Sequence, residues 1–154
     1  MADTYSQLYI QLVFAVKGRV SLIQSNWENE LYKYITGIVQ NRKHKMLAIN
    51  GMPDHIHIFI GLHPEDSISD LVREIKKASN SFINEKKFCK LPFQWQSGYG
   101  AFSYSRSAID RVVNYIHNQK EHHRKSTFKE EYLKLLKERK VEFKEEYLFE
   151  WMQD

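Results

Sequence analysis

Residues 55–60 read His-Ile-His-Ile-Phe-Ile, and this alternation constrains the fold more than any other stretch of the chain. Side chains on a strand point to opposite faces in turn. Ile56, Ile58 and Ile60 therefore share one face, and His55, His57 and Phe59 share the other. The isoleucine face requires an apolar layer packed against it. The opposite face presents two imidazoles side by side, a geometry suited to cis coordination of one metal ion. Met52-Pro53-Asp54 forms a short turn before this strand, and residues 45–51 read as the preceding strand, so a hairpin is expected.

The flanking segments extend the pattern. Leu8, Ile10, Leu12, Phe14 and Val16 alternate with Gln7, Tyr9 and Gln11, predicting a half-buried first strand. Ser25 stands three residues before Glu28 as a capping box, and Trp27, Leu31, Ile35, Ile38 and Val39 follow at helical spacing. Pro64 and Ser67 end the third strand, residues 55–62, and open a helix whose stripe is Ile68, Leu71, Ile75, Ala78 and Phe82. Residues 88–96 read as an ordered loop, and residues 97–104 as a fourth strand weakened by two glycines. Helices are predicted over 106–121 and 127–139, the second opened by Thr127 and Glu130, and residues 145–151 form a strand or an arm.

The order β-α-β-β-α-β-α gives an α+β, ferredoxin-like fold. It has an antiparallel four-stranded sheet with helices on one face, plus a C-terminal tyrosine-bearing helix. RRM domains share this plan, so the plan does not fix function. A chain of 154 residues is expected to form one domain, residues 1–154. Cys89 is the only cysteine, which excludes an internal disulfide and the usual Cys/His zinc frameworks. The N-terminus lacks a basic leader and no apolar run approaches the ~20 residues of a membrane span, so a cytoplasmic location without membrane contact is expected. The net charge of +4 and the aromatic content of 14% fit a nucleic-acid partner. Arg19, Arg42, Lys43, Lys45, Arg73, Lys76, Lys77, Arg106 and Arg124 are candidates for phosphate contact, and Trp95 for base stacking. Solvated surface charge is the alternative for each cation.

The segment Tyr115-Ile116-His117-Asn118-Gln119 carries the second half of the chemistry. On a continuous helix with Ile109, Val112, Val113 and Ile116 buried, Tyr115 and Gln119 lie one turn apart on one half-exposed flank. A phenol attacking phosphorus forms a phosphotyrosine ester that retains the bond energy for rejoining. Gln119 offers a neutral carbonyl oxygen as third ligand beside His55 and His57, a set suited to Mg²⁺ or Mn²⁺ when phosphate oxygens complete the shell. His122 falls on nearly the same face as Tyr115. The bland alternative is a pair of strand histidines and a boundary tyrosine that bind nothing.

Gly51-Met52-Pro53-Asp54-His55-Ile56-His57, Trp95-Gln96-Ser97-Gly98-Tyr99, Phe102-Ser103, Tyr115–His123 and Phe128–Leu136 together resemble the small single-tyrosine HUH transposases of bacterial insertion sequences, the IS200-like family. The resemblance covers nearly the whole chain in the family's order. It implies cleavage and rejoining of single-stranded DNA through a 5′-phosphotyrosine, with Tyr115 as nucleophile and His55, His57 and Gln119 as metal ligands. It also implies recognition of subterminal hairpins, and a homodimer whose sheets join and in which the tyrosine helix of one subunit can complete the histidine site of the other. A noncatalytic RRM-like single-strand binder, a domesticated or replication-type HUH nuclease, and a metal hydrolase without a covalent intermediate are the competing readings.

Overall fold

The computed structural model describes residues 2–151. Strands β1 (Tyr9–Ala15), β2 (Lys45–Met52), β3 (His55–Gly61) and β4 (Gly100–Tyr104) form one antiparallel sheet in the order β2-β3-β1-β4. Helices α1 (Glu28–Asn41) and α2 (Ile68–Lys86) are the crossovers of an α+β, ferredoxin-like fold. The isoleucine alternation in β3 builds the main core. Ile56, Ile58 and Ile60 are fully buried in one cluster with Leu31, Ile35 and Val39 of α1 and with Leu71, Ile75 and Ile83 of α2. Each such side chain contributes roughly 1.5–3 kcal/mol by leaving water.

The second face of the sheet is covered as well. Helices α3 (Ile109–His117), α4 (Gln119–His122) and α5 (Phe128–Glu138) follow β4. Ala48 and Phe59 of the sheet pack there with Ala108, Val112 and Ile116. This cover corrects the half-buried reading of β1, in which every residue from Ile10 to Ala15 is buried, Gln11 included. Among the described residues no helix is long and apolar enough to cross a membrane.

Helix starts follow their side chains at two places and not at a third. The Ser67 side chain accepts the Asp70 N–H to open α2, and Thr127 and Glu130 form a reciprocal capping box to open α5. The Ser25 box does not form. Instead α1 begins after Trp27, which makes no side-chain cap and is 3% exposed, stacked on Phe88 at 4.9 Å. Burial of this indole, not capping, sets where the helix begins. The predicted helix over 106–121 is divided into a 3-10 turn (Arg106–Ala108), α3 and α4, with a break at Asn118. The tail is an arm: after a 3-10 turn at Glu145–Tyr147, Phe149 is buried against Phe128 and Tyr132.

A polar clamp ties the end of α1 to the entry of α2. Asp66 accepts from Arg42 Nε at 2.8 Å and Nη2 at 2.6 Å, and lies 2.7 Å from the buried His44 Nε2. The Arg42 hydrogen bond, with that of His44, outweighs desolvation and holds the Asp66 carboxyl well below the usual carboxylate range. A depressed native pKa stabilises the fold above the unfolded value near ~4, and that stability is lost as pH falls through it. Asp66→Asn is expected to cost about 1–3 kcal/mol at pH 7 in urea denaturation. Its deficit against the unsubstituted protein should shrink below pH ~4; a deficit unchanged between neutral and acid pH would contradict the charge-based account.

Candidate active site

Antiparallel register places the two histidines in adjacent rows. His57 lies between Val13 and Asn50, and His55 between Ala15 and Met52. Both imidazoles point into the α3–α5 layer and are 0% exposed, with ring centres 5.1 Å apart. They are therefore interior groups rather than the half-exposed pair of the bland reading. Each is fixed through its Nδ1. His55 Nδ1 lies 2.8 Å from Asp54 Oδ1, and its ring stacks on Phe128 at 3.8 Å. Donation of Nδ1–H to that carboxylate turns Nε2 toward the site, where it becomes a metal ligand once it gives up its proton. His57 Nδ1 lies 2.9 Å from the side-chain nitrogen of Gln11, whose Oε1 accepts from the Tyr104 hydroxyl at 2.7 Å. With the Gln11 amide turned over, the same three groups stay bonded, His57 Nδ1–H becomes the donor, and Nε2 is free as a ligand.

The nucleophile candidate is held by the strand beside it. Asn50 Nδ2 donates to the carbonyls of Ile116 at 3.0 Å and His117 at 3.1 Å, pinning the end of α3 to β2. Tyr115 is half-buried, its ring 6.0 Å from His57 and stacked on His122 at 4.5 Å. The break at Asn118 separates Gln119 from α3, and Gln119 is buried rather than half-exposed on a common flank. Its Oε1 stands 3.3 Å from His55 Nε2. Tyr115, Gln119 and both histidines thus meet in one chain, while His117 is exposed and takes no part. Two imidazole nitrogens oriented by partners at Nδ1, with an amide oxygen next to one of them, fit a divalent cation.

Glu131 of α5 was not anticipated from the sequence, and it joins every one of these groups. Its Oε1 lies 3.2 Å from His57 Nε2, 3.2 Å from His123 Nε2 and 3.3 Å from His55 Nε2. Its Oε2 accepts from Gln119 Nε2 at 3.0 Å and from the Tyr115 hydroxyl. The capping box fixes where α5 starts, so Phe128, Tyr132 and Leu136 form its buried stripe and Glu131 falls on the same side. A carboxylate among those positions is the one signal the sequence carries for it. Gly100 lets α5 approach, since a Cβ there would stand 2.6 Å from Tyr132 Oη.

Electrostatics follow from this burial. Desolvation opposes charge on Glu131, but the His57 charge and the hydrogen bonds of His123, His55 and His57 outweigh it and hold the carboxyl far below its ordinary value. Burial also opposes charge on His55; hydrogen bonds to Asp54 and Glu131 prevail and raise its pKa. For His57 burial prevails over Glu131 and lowers it. Burial first, then the Glu131 charge, pushes the Tyr115 hydroxyl well up.

The candidate DNA contacts scatter. Arg42 is engaged by Asp66, Arg73 pairs with Asp70 at 2.9 Å, and Arg19, Lys43 and Lys77 are exposed. Lys76 Nζ donates to the carbonyls of Gln96 at 2.8 Å and Gly98 at 2.6 Å. Trp95 is 5% exposed, edge-on to Phe14 and Phe93 with its Nε1–H on Ser79, so it offers no face to a base. Arg73, Lys76 and Lys77 do line one surface groove with Trp95 and Gln96. A cleft of about 390 Å³ opens instead at Tyr115, lined by Arg111, Lys134 and Arg139. Lys134 and Arg139 lie in the run 134–144, whose alternating signs read as an exposed helix face in the sequence.

Residues 4–119 match the family model described as Transposase IS200 like. The ISDra2 transposase TnpA of Deinococcus radiodurans is 23% identical over 118 residues, 73% of this chain and 84% of that protein. Among solved structures, a Deinococcus radiodurans R1 protein assigned as a transposase superposes with TM-score 0.61 at 23% identity, covering 77% of this chain and 95% of its own. A REP-associated tyrosine transposase bound to a REP hairpin superposes with TM-score 0.59 at 20% identity, covering 80% and 73%.

The hairpin that presents His55 depends on Gly51. A Cβ there would clash with the His55 carbonyl oxygen and stand 3.0 Å from Ile56 Cα, both backbone atoms that cannot swing aside. Gly51→Ala is expected to cost about 1–3 kcal/mol in urea denaturation. A variant as stable as the unsubstituted chain would refute this packing account.

Proposed function

Because this chain belongs to the IS200-like transposase family, we propose that it cleaves and rejoins single-stranded DNA at insertion-sequence ends through a covalent 5′-phosphotyrosine. Tyr115 is the nucleophile, and His55, His57 and Gln119 hold Mg²⁺ or Mn²⁺. The observation that carries this reading is convergence: the Tyr115 hydroxyl and the Nε2 atoms of His55 and His57 meet at one carboxylate. In the step itself the Tyr115 oxygen bonds to phosphorus as the phosphorus–O3′ bond breaks. The phenolic proton passes to solvent, and the departing O3′ is protonated from solvent. Attack of a 3′-hydroxyl on the ester reverses the step without an external energy source.

The resting site disfavours phenolate, since burial and Glu131 both push Tyr115 up. A divalent cation at the imidazoles supplies the opposing charge and stabilises the phosphate. The chain's own residues do the positioning. Asn50 fixes the helix that carries Tyr115, His122 supports its ring, and Asp54 and Gln11 orient the two imidazoles. Arg111, Lys134 and Arg139 around the cleft give phosphates a path to the hydroxyl.

The stacking-binder alternative needs an open sheet face. Here that face lies beneath α3–α5, which disfavours it. The substrate is single-stranded DNA with hairpin ends, in line with the hairpin held by the structural relative. Residues 1–154 act as one domain. A second copy fits the same reading, because β2 and β4 are the edge strands at which two sheets can join. In such a dimer the tyrosine helix of one copy can complete the histidine site of the other.

Incubation with single-stranded DNA of the element's ends plus Mn²⁺ is expected to yield a covalent adduct on denaturing gels, abolished by Tyr115→Phe and by EDTA. Cleavage surviving Tyr115→Phe would replace the transesterase with a hydrolase. Gln11→Ala removes the partner of His57 Nδ1 and is expected to lower adduct formation about 10–100-fold, checked by initial rates at fixed Mn²⁺.

A further inference from the structure

We propose that Glu131 is a protein ligand of the cation site and that it allows the chain to bind a divalent ion before DNA arrives. The inference rests on the function proposed above. It concerns a residue beyond the segment 4–119 that matches the family model.

The first support is geometric. Ligand atoms of His55, His57 and Glu131 all lie within 4.8 Å of one another. Two ligands about 2.1 Å from a common ion stand about 3.0 Å apart in an octahedron and about 3.4 Å apart in a tetrahedron. The separations from Glu131 Oε1 to His57 Nε2 and His55 Nε2, 3.2 and 3.3 Å, fall between these limits. Gln119 Oε1, 3.3 Å from His55 Nε2, keeps the same spacing. An octahedral ion held by these four donors would keep two positions for phosphate oxygens.

The second support is charge. Two neutral imidazoles and an amide offer no anion to a dication in a closed interior, where uncompensated charge costs several kcal/mol. Glu131 supplies that anion at 7% exposure. Nothing local in α5 requires a buried carboxylate at this position, since Phe128, Tyr132 and Leu136 already complete the apolar stripe.

The third support is the division of labour between its two oxygens. Oε1 faces the imidazoles, while Oε2 keeps the Tyr115 hydroxyl and the Gln119 amide N–H. As a ligand through Oε1, Glu131 sets the distance between the cation and the nucleophile. Gln119 is oriented by the same carboxylate.

Titration of the DNA-free protein with Mn²⁺, read by calorimetry and by the electron spin resonance of free Mn²⁺, tests this. The unsubstituted chain should bind one Mn²⁺ per chain. Glu131→Gln keeps the shape and removes the anion, and should weaken binding about tenfold or more. Glu131→Asp, shorter by one methylene, should fall between the two. Far-ultraviolet circular dichroism and melting curves separate lost binding from lost folding. Unchanged Mn²⁺ affinity in folded Glu131→Gln, or no Mn²⁺ binding by the unsubstituted chain without DNA, overturns the proposal. The DNA adduct assay reports separately. An adduct formed while Glu131→Gln binds Mn²⁺ normally defeats the ligand role and spares the transposase reading. Mn²⁺ affinity lost in Glu131→Gln, with no adduct from the unsubstituted chain, does the reverse.

Discussion

A carboxylate withdrawn from water must find compensating charge or hydrogen bonds, or it gives up its ionisation. Glu131 meets this requirement with both oxygens, one against three imidazoles and the other against a phenol and an amide. The groups it gathers come from β3, α3, α4, the turn at His123 and α5 itself. Removing one partner from such a buried set typically costs 3–5 kcal/mol, because the rest are left unpaired. The architecture of the second sheet face therefore depends on this carboxylate as the first face depends on isoleucine packing.

Around this hub, rigidity comes from groups one bond further out. Asp54 and Gln11 hold the imidazoles at Nδ1, and Tyr104 holds Gln11. Asn50 binds two carbonyls at the end of α3, and Lys120 Nζ reaches the Gly51 carbonyl at 3.0 Å. The Asn50 and Lys120 bonds link α3 and α4 to the β2–β3 hairpin. The sheet thus acts as a template on which a tyrosine, an amide and a carboxylate are placed with little freedom.

Much of this was legible in the sequence, for physical reasons. The period-2 alternation of residues 55–60 has only one strand reading, so the common face of His55 and His57 was readable without tertiary information. Ser67 and Thr127 announce helix starts because their caps are local hydrogen bonds. What escaped was set from far along the chain. The break at Asn118 interrupts a pattern that continues smoothly in sequence, and the Asn50 bonds that hold this corner come from 66 and 67 residues away. Trp95 reads as a surface ring open to base stacking, yet core packing claims it. Glu131 in the first turn of a helix looks like an ordinary partner of the helix dipole. Only α5 lying on the sheet turns it inward.

The separation of 74 positions from His57 to Glu131 also has a temporal meaning. At synthesis rates of about 5–20 residues per second, several seconds pass between the emergence of the histidine strand and that of the helix that seals it. Throughout that interval the imidazole face lacks α5, and the Tyr115 hydroxyl has no Glu131 carboxylate to accept it. The cluster of Tyr115, Gln119 and the two imidazoles is complete only when α5 docks and brings Glu131 to it. Because Glu131 follows every group it gathers, the order of synthesis places the strand and the tyrosine helix before the carboxylate that joins them.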